Sequence, residues 1–363
     1  MVRVLQVLGV AVGALLVGAA VVSAIKTVVI PRSAASQVTR IVFLVMRRLY
    51  LVLAPRSAAY ARRDRVLASY APVSLVATLG VWLGMVFTGF ALIFWAIEDR
   101  GPVEAFELSG SSLLTLGLVR PEVAVDMWLV FLEALTGLFL LALLITYLPS
   151  IYSAFSRREL GVTALSVRAG EPPSGREMIW RHWVLERIDE LHRVWVEWER
   201  WFVDVEETHT SLPALVFLRS PQPDHSWVTS SGAVLDGAAL TLSSVDVPRD
   251  VEAEFMIRAG YLCLRRIADF FQIPYDPTPS PGDPISVTRE EWEATIATLA
   301  EAGVPLKADR EQAWRDFAGW RVNYDAVLVA MADITTAPPA EWSSDRAGDR
   351  TRAPRALRRS PAR

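Results

Sequence analysis

Two long apolar stretches, residues 73–97 and 127–148, dominate the pattern of hydrophobic and polar positions along the chain. The only charged residue in either stretch is Glu133, in the second. At about 1.5 Å of rise per residue, a helix of either length crosses the roughly 30 Å of hydrocarbon in a bilayer. A third apolar stretch, residues 4–25, is too long for the core of a signal peptide. The pattern therefore predicts an all-α membrane protein with three transmembrane helices.

The segment between the two dominant stretches, residues 105–121, is too short and too polar to span a membrane. A short helix is predicted from about Gly101 to Ser112, and helical character is lost at Thr115-Leu116-Gly117. Irregular backbone at membrane depth persists only where protein buries it or where it lines water. The segment is therefore predicted to be a re-entrant helix followed by a pore loop.

The order of span, short helix, glycine-bearing loop and span resembles the pore module of potassium channels, over about residues 72–158. Thr115 and Gly117 match the first part of a T-x-G-Y-G-D-type filter. The aromatic, the second glycine and the acid of that motif are replaced by Leu118, Val119 and Arg120. The filter identified by this resemblance consists of Thr115, Leu116, Gly117, Leu118, Val119 and Arg120.

The resemblance implies a homotetrameric ion channel in which filter carbonyls replace the hydration shell of a monovalent cation. It places Gly137 near the hinge glycine of the inner helix, and Ser109, Ser111 and Ser112 in the pore helix. A β-branched residue resists the left-handed backbone that glycine permits, so Val119 predicts weak or altered cation selectivity. Acidic residues within 98–107 either concentrate cations at an outer mouth or are ordinary for an extracellular loop.

Basic residues set the predicted topology in the plasma membrane. Residues 26–71 carry nine basic residues and a single acid, and Arg157 and Arg158 follow the last span. Positive charge marks the cytoplasmic side, so the amino terminus is predicted outside and the C-terminal domain in the cytoplasm. Arg47 and Arg48 lie within an apolar segment, 41–54. That segment is either an interfacial amphipathic helix whose arginines bind anionic lipid headgroups, or a helix packed on the bundle.

Two features inside the spans have open interpretations. Glu133 is predicted to be a cation site, a buried partner of the pore helix, or simply a hydrogen-bond partner of a pore-helix serine. Gly9 and Gly13 are either a small-residue packing face or a consequence of the high glycine and alanine content of their stretch.

The predicted regions are 1–71 (first span and basic segment), 72–158 (pore module), 159–336 (helical cytosolic domain) and 337–363 (disordered tail). Within the cytosolic domain, residues 160–168 are predicted to be a short strand or loop, and 178–205 one long helix. The aromatic stripe of that helix predicts core packing, with ligand stacking as the alternative. Thr288 and Glu291 form a predicted capping box.

The sequence contains none of the usual phosphate-binding, dinucleotide-binding or nucleophile-elbow motifs, and its four histidines lack metal-ligand spacing. We therefore expect no enzyme activity, cofactor or metal site, and the net charge of −3 gives no reason to expect nucleic-acid binding. Two functions follow: ion transport with a cytosolic domain that regulates or anchors the pore, or a non-conducting scaffold or sensor that binds a protein partner.

Overall fold

Helices make up nearly all the secondary structure in the computed structural model, which describes residues 2–30, 36–55, 57–98, 101–119, 121 and 124–346. Three segments are helical, long and apolar enough to cross a membrane: Arg3–Val28, Tyr60–Ile97 and Ala124–Ala169. The predicted all-α class and the three long apolar helices are thus confirmed. The helices are α1 (Val2–Val28), α2 (Gln37–Leu53), α3 (Tyr60–Leu67), α4 (Tyr70–Glu98), α5 (Pro102–Leu113), α6 (Ala124–Ala169), α7 (Gly175–Val184), α8 (Leu191–Ser211), α9 (Trp227–Ser244), α10 (Val251–Phe270), α11 (Arg289–Glu301), α12 (Arg310–Arg321) and α13 (Asp325–Thr335).

The chain divides into two compact units, Met1–Ser153 and Ala154–Arg363. In the first unit, glycines bring α1 and α4 into close contact. A Cβ atom at Gly13 would lie 2.4 Å from the carbonyl oxygen of Gly89, and one at Gly89 would lie 2.7 Å from that of Gly13. Only glycine permits so close a crossing, which confirms the predicted packing face.

The helix α2 packs one face against α4. Val42 and Tyr50 are its buried residues, and the hydroxyl of Tyr70 in α4 donates to the carbonyl of Phe43 at 3.1 Å. This contact agrees with the interpretation of α2 as a helix packed on the bundle. The opposite face of α2 is exposed.

The helix α6 is longer than the sequence pattern predicts. Pro149 lies inside it, and the helix continues for 20 further residues to Ala169. The prediction of a strand or loop at 160–168 is therefore wrong. Val162, Leu165 and Ala169 recur at helical spacing and are all buried in the core of the second unit, which outweighs the local preference of β-branched residues for strands.

The helix α9 forms the centre of the second unit, and every residue in it except Leu242 is buried. Small side chains allow its neighbours to approach closely: a Cβ atom at Gly175, the first residue of α7, would lie 2.5 Å from the backbone nitrogen of Gly237. A helix that is buried on all sides lies at the centre of its domain, and its polar side chains are buried with it.

The predicted helix 178–205 is interrupted. The helix α7 ends at Val184, Glu186 adopts a left-handed φ of 55°, and α8 begins at Leu191. Trp195 and Phe202 of the aromatic stripe are fully buried, so core packing is confirmed for this part of the stripe. The capping box of Thr288 and Glu291 is confirmed at the start of α11.

A buried ionic cluster joins α9, α12 and α13. The guanidinium of Arg321 lies 2.5 Å from Asp236 and 2.8 Å from Asp325, and it also donates to the carbonyl of Trp342. Burial would lower the pKa of Arg321, but the two carboxylates outweigh burial and hold the pKa above its ordinary value. Ala340, Trp342 and Ser343 are buried, so this part of the predicted tail packs onto the domain, contrary to the predicted disorder. The rest of that tail, 347–363, lies outside the described residues.

Candidate functional site

The candidate site lies around α5, a helix of 12 residues that begins with Pro102 after the extended Gly101. At about 1.5 Å per residue its length is about 18 Å, too short to cross a membrane. One face of it is buried, through Ala105, Leu108 and Ser109 among others. The apolar side chains of this face pack in the core of the first unit, which fixes α5 in place.

Two serines on the buried face of α5 bind neighbouring helices. Ser109 Oγ lies 2.9 Å from the carbonyl oxygen of Phe87 in α4 and 2.5 Å from Glu133 Oε1 in α6. Ser112 Oγ donates to the carbonyl of Val130 in α6 at 2.8 Å. Positions 109 and 112 share a helix face because they lie three residues apart.

The chain after α5 turns through alternating left-handed positions. Thr115 has a φ of 54° and Gly117 a φ of 67°. This conformation suits Gly117, but it is uncommon for a β-branched residue and costs Thr115 about 1–3 kcal/mol. Val119 does not adopt a positive φ. The two left-handed residues of this loop are therefore Thr115 and Gly117.

Backbone N–H groups at the start of this loop point toward α5. The N–H of Thr115 donates to the carbonyl of Ser112 at 3.0 Å, and that of Leu116 donates to the carbonyl of Ser111 at 2.8 Å. Both acceptors belong to the last turn of α5, whose carbonyls lack partners within the helix.

The N–H groups of Leu118 and Val119 also point toward α5, where they donate to a side chain. Ser111 Oγ accepts from the N–H of Leu118 at 2.8 Å and from that of Val119 at 3.2 Å. The Ser111 hydroxyl is buried and has two acceptor lone pairs, which suits it to hold two donors.

These hydrogen bonds determine the direction of the loop carbonyls. All peptide bonds here are trans, and in a planar trans peptide the C=O points opposite to the N–H of the following residue. Each N–H that points at α5 therefore turns the carbonyl of the preceding residue away from α5. The carbonyls directed in this way belong to Leu114, Thr115, Gly117 and Leu118.

The carbonyls lie in an exposed part of the chain. Residues 114–118 are all exposed, and no backbone N–H of a described residue donates to their carbonyls. In hydrocarbon each unpaired carbonyl would cost several kcal/mol. The loop also exposes three leucine side chains, Leu114, Leu116 and Leu118, the last of them 78% exposed. At membrane depth this loop requires water, a cation or another protein surface beside it.

The helix α6 packs against α5 through Glu133 and Gly137. Glu133 has no exposed surface; its Oε1 contacts Ser109, whereas Oε2 has no hydrogen-bond partner among the described residues. Four residues later, a Cβ atom at Gly137 would lie 2.8 Å from Leu113 Cδ1 and 3.1 Å from its carbonyl oxygen. Gly137 thus makes room for the end of α5.

Nearly all predicted site residues are thus brought together by α5, its loop and α6. The pairing of Glu133 with a serine of α5 is confirmed, and the partner is Ser109. Gly137 lies in an unbroken helix, and its role as a hinge stays a prediction. Arg120 lies outside the described residues.

Three structural features of the candidate site were not predicted from the sequence. These are the direction of the loop carbonyls, the two donors held by Ser111, and the contact of Gly137 with Leu113. The three-residue spacing of Ser109 and Ser112 was a usable signal for the shared face toward α4 and α6. The two hydrogen bonds to Ser111 had no such signal because they depend on the path of the loop.

The exposed face of α2 carries a second candidate surface. Apolar side chains recur there at helical spacing, and Arg48 is exposed beside them, whereas Arg47 is half-buried. An apolar stripe flanked by arginines is typical of a helix at a membrane interface. The stripe consists of Ile41, Val45, Leu49 and Val52.

Comparison with protein-family models, with known proteins and with solved structures finds no match to this chain.

Proposed function

We propose that this protein is a channel-like protein of the plasma membrane that transports monovalent cations with weak selectivity. In this proposal α1, α4 and α6 cross the bilayer, α5 and the loop 114–119 are a re-entrant pore segment, and four copies surround one axis. The observation that carries the proposal is the row of loop carbonyls directed away from α5 in an exposed segment between two spanning-length helices. Inward-pointing carbonyls are the ligands that cation-selective pores use.

Cation flux into liposomes that contain the purified protein tests this function. We expect potassium and sodium to enter protein-containing vesicles and not empty ones. Gly117→Val should abolish flux, because valine resists the φ of 67° at this position. Gly84→Ala is the matched control, because a Cβ atom at Gly84 meets nothing within 4 Å, and it should conduct normally.

A non-conducting scaffold or sensor is the second candidate, and the exposed leucines favour it. Leu114, Leu116 and Leu118 offer an apolar surface that a partner protein would cover, or that would keep a pore dry. Absence of flux for both cations from correctly assembled protein would contradict the channel proposal and support this one.

The unpaired carbonyls support the proposed homotetramer, because neighbouring copies around an axis would keep them from lipid. Native mass spectrometry in mild detergent should show tetramers. A spectrum that contains only monomers would contradict the arrangement around an axis.

We further propose that the amino terminus lies outside and the second unit lies in the cytoplasm, where it regulates or anchors the pore through α6. Cysteine labelling of intact cells tests the topology. Val103→Cys should react from outside, and Glu171→Cys only after permeabilisation; labelling of Glu171→Cys from outside would overturn it. Burial raises the pKa of the native Cys263 thiol well above its ordinary value, so its background reaction is low.

Anionic lipid headgroups are the proposed partners of Arg47 and Arg48. Lipid retained by the purified protein is measured by mass spectrometry, with Arg47→Gln/Arg48→Gln compared with Arg62→Gln, an exposed arginine outside α2. The double substitution should lower the retained anionic lipid, and equal retention in both variants would contradict the proposal.

A further inference from the structure

Glu133 meets α4 and α5 through one hydroxyl group. Ser109 Oγ lies 2.5 Å from Glu133 Oε1 and 2.9 Å from the carbonyl oxygen of Phe87. Glu133 and Ser109 have no exposed surface, and the contact of Ser109 with the carbonyl of Phe87 is partly buried. Each of the two short O···O contacts requires a hydrogen between its oxygens.

Glu133 can be an ionised carboxylate or a neutral carboxylic acid, and the number of hydrogens available for the two contacts distinguishes these forms. A serine hydroxyl carries one hydrogen, and the carbonyl of Phe87 only accepts. An ionised Glu133 would also only accept, so the single hydrogen of Ser109 would have to serve two acceptors. One of the two contacts would then bring lone pairs together. A carboxylic acid supplies the missing hydrogen.

The surroundings of Glu133 also oppose a charge. Its Oε2 makes no hydrogen bond to a described residue, and the hydrogen of the nearby Ser112 hydroxyl is donated to the carbonyl of Val130. The other ionisable groups in α5 and in residues 124–146 of α6 are acids: Glu104 and Glu107 on the exposed side of α5, and Asp126 two turns earlier in α6. An ionised carboxylate without donors is costly in an apolar interior.

We infer that Glu133 is a neutral carboxylic acid that donates its hydrogen to Ser109 Oγ, while Ser109 donates to the carbonyl of Phe87. The two hydrogen bonds form a directed chain from α6 through α5 to α4. Glu133 is thereby a positioning residue that holds α5, and with it the loop 114–119, between the two long helices. The inference goes beyond the proposed transport function and does not depend on it.

Infrared spectroscopy of the full chain in lipid bilayers tests the protonation state. The spectrum of the native protein minus that of Glu133→Gln should contain the carbonyl band of a protonated carboxyl group. A difference that contains only carboxylate bands would overturn the inference. Asp126→Asn is the matched control, since it replaces a buried acid of the same helix and should leave the Glu133 band unchanged.

Thermal unfolding of the same proteins gives a second measurement. The side-chain amide of Glu133→Gln can replace the donated hydrogen, so its midpoint should stay near the native value, whereas Glu133→Met should lower it. Equal losses in both variants would contradict a neutral donor.

If the Glu133 variants do not fold, the infrared spectrum of the Ser109→Ala variant still tests the protonation state of Glu133. Removing the acceptor should shift the Glu133 carbonyl band to that of an acid without a hydrogen bond. An unshifted band would overturn the inference. Neither spectrum depends on flux, so a protein that fails to conduct can still confirm the neutral acid.

Discussion

Arg321 has no exposed surface, and it is held by Asp236, Asp325 and the carbonyl of Trp342. Removing one partner of a buried ionic cluster costs about 3–5 kcal/mol, because it leaves the other charges unpaired. We therefore predict that Arg321→Met lowers the free energy of unfolding by that amount. Denaturant unfolding of the full chain in detergent measures the loss.

Two further variants separate the geometry of Arg321 from its charge. Arg321→Lys keeps the charge without the planar fork of donors, so its loss should be intermediate. Arg315→Met, at an exposed position of the same helix, should change stability by no more than about 0.5 kcal/mol. Equal effects of Arg321→Met and Arg315→Met would contradict the role of the cluster.

His209 provides a prediction about pH. Its Nε2 lies 3.2 Å from the guanidinium of Arg158, and burial together with Arg158 lowers the pKa of His209 well below 6.5. As the pH falls below the pKa of the unfolded state, the unfolded chain binds a proton that the folded chain does not. Stability should therefore fall by up to about 1.4 kcal/mol per pH unit below pH ~6.

The His209→Gln variant isolates this effect, because glutamine can accept a hydrogen bond from Arg158 but does not titrate. Unfolding free energies of both proteins are measured between pH 7.5 and about pH 5, where the native protein should lose stability relative to the variant. Parallel pH profiles would show that His209 is not held neutral.

At the scale of elements, the crossing of α1 and α4 depends on Gly13. A Cβ atom there would lie 2.4 Å from a backbone oxygen and 2.7 Å from Ile93 Cγ1, so the helices would have to separate. Overpacking typically costs about 1–3 kcal/mol, and we predict a loss of this size for Gly13→Ala.

Gly18 is the matched control on the same helix. A Cβ atom at Gly18 meets nothing within 4 Å, so Gly18→Ala should be neutral or stabilising through helix propensity. Thermal unfolding of the full chain in detergent compares the two variants. A Gly13→Ala protein as stable as the Gly18→Ala protein would contradict the tight crossing.

Helices with strong periodic or apolar patterns were predictable from the sequence, as were α5 and the capping box of α11. The errors arose where tertiary packing decided the conformation. Residues 160–168 carry β-branched side chains, but burial of Val162 and Leu165 on one face stabilises helix. The break between α7 and α8 occurs at Glu186, and neither glycine nor proline precedes it between 176 and 185.

The candidate site was predictable in its residues and not in its geometry. The glycine spacing and the serines of α5 point to the segment in which the candidate site lies. The sequence does not reveal that Thr115 is left-handed or that Ser111 holds two N–H groups, because both depend on how the loop folds back on α5. The direction of the carbonyls, on which the proposed function rests, follows from those contacts.

At the scale of the whole molecule, the proposed tetramer would place four copies of the loop around one axis. A potassium filter needs stacked rings of carbonyls, and glycines let the backbone point them inward. This chain has Gly117 but carries Val119 and Arg120 where the second glycine and the acid of the motif would be. Like charges of the arginines would repel one another by about 1 kcal/mol per pair at 4 Å in water, and by more at lower dielectric.

We therefore predict that the unmodified protein discriminates weakly between potassium and sodium, and that Val119→Gly with Arg120→Asp shifts it toward potassium. The glycine frees the backbone at the second filter position, and the acid replaces repulsion of cations by attraction. Reversal potentials under opposed potassium and sodium gradients measure the shift, with Arg120→Asp alone as the control that changes charge without backbone freedom. Strong potassium selectivity in the unmodified protein would contradict the prediction, because it would mean that a filter with Val119 and Arg120 coordinates potassium as well as one with glycine and an acid.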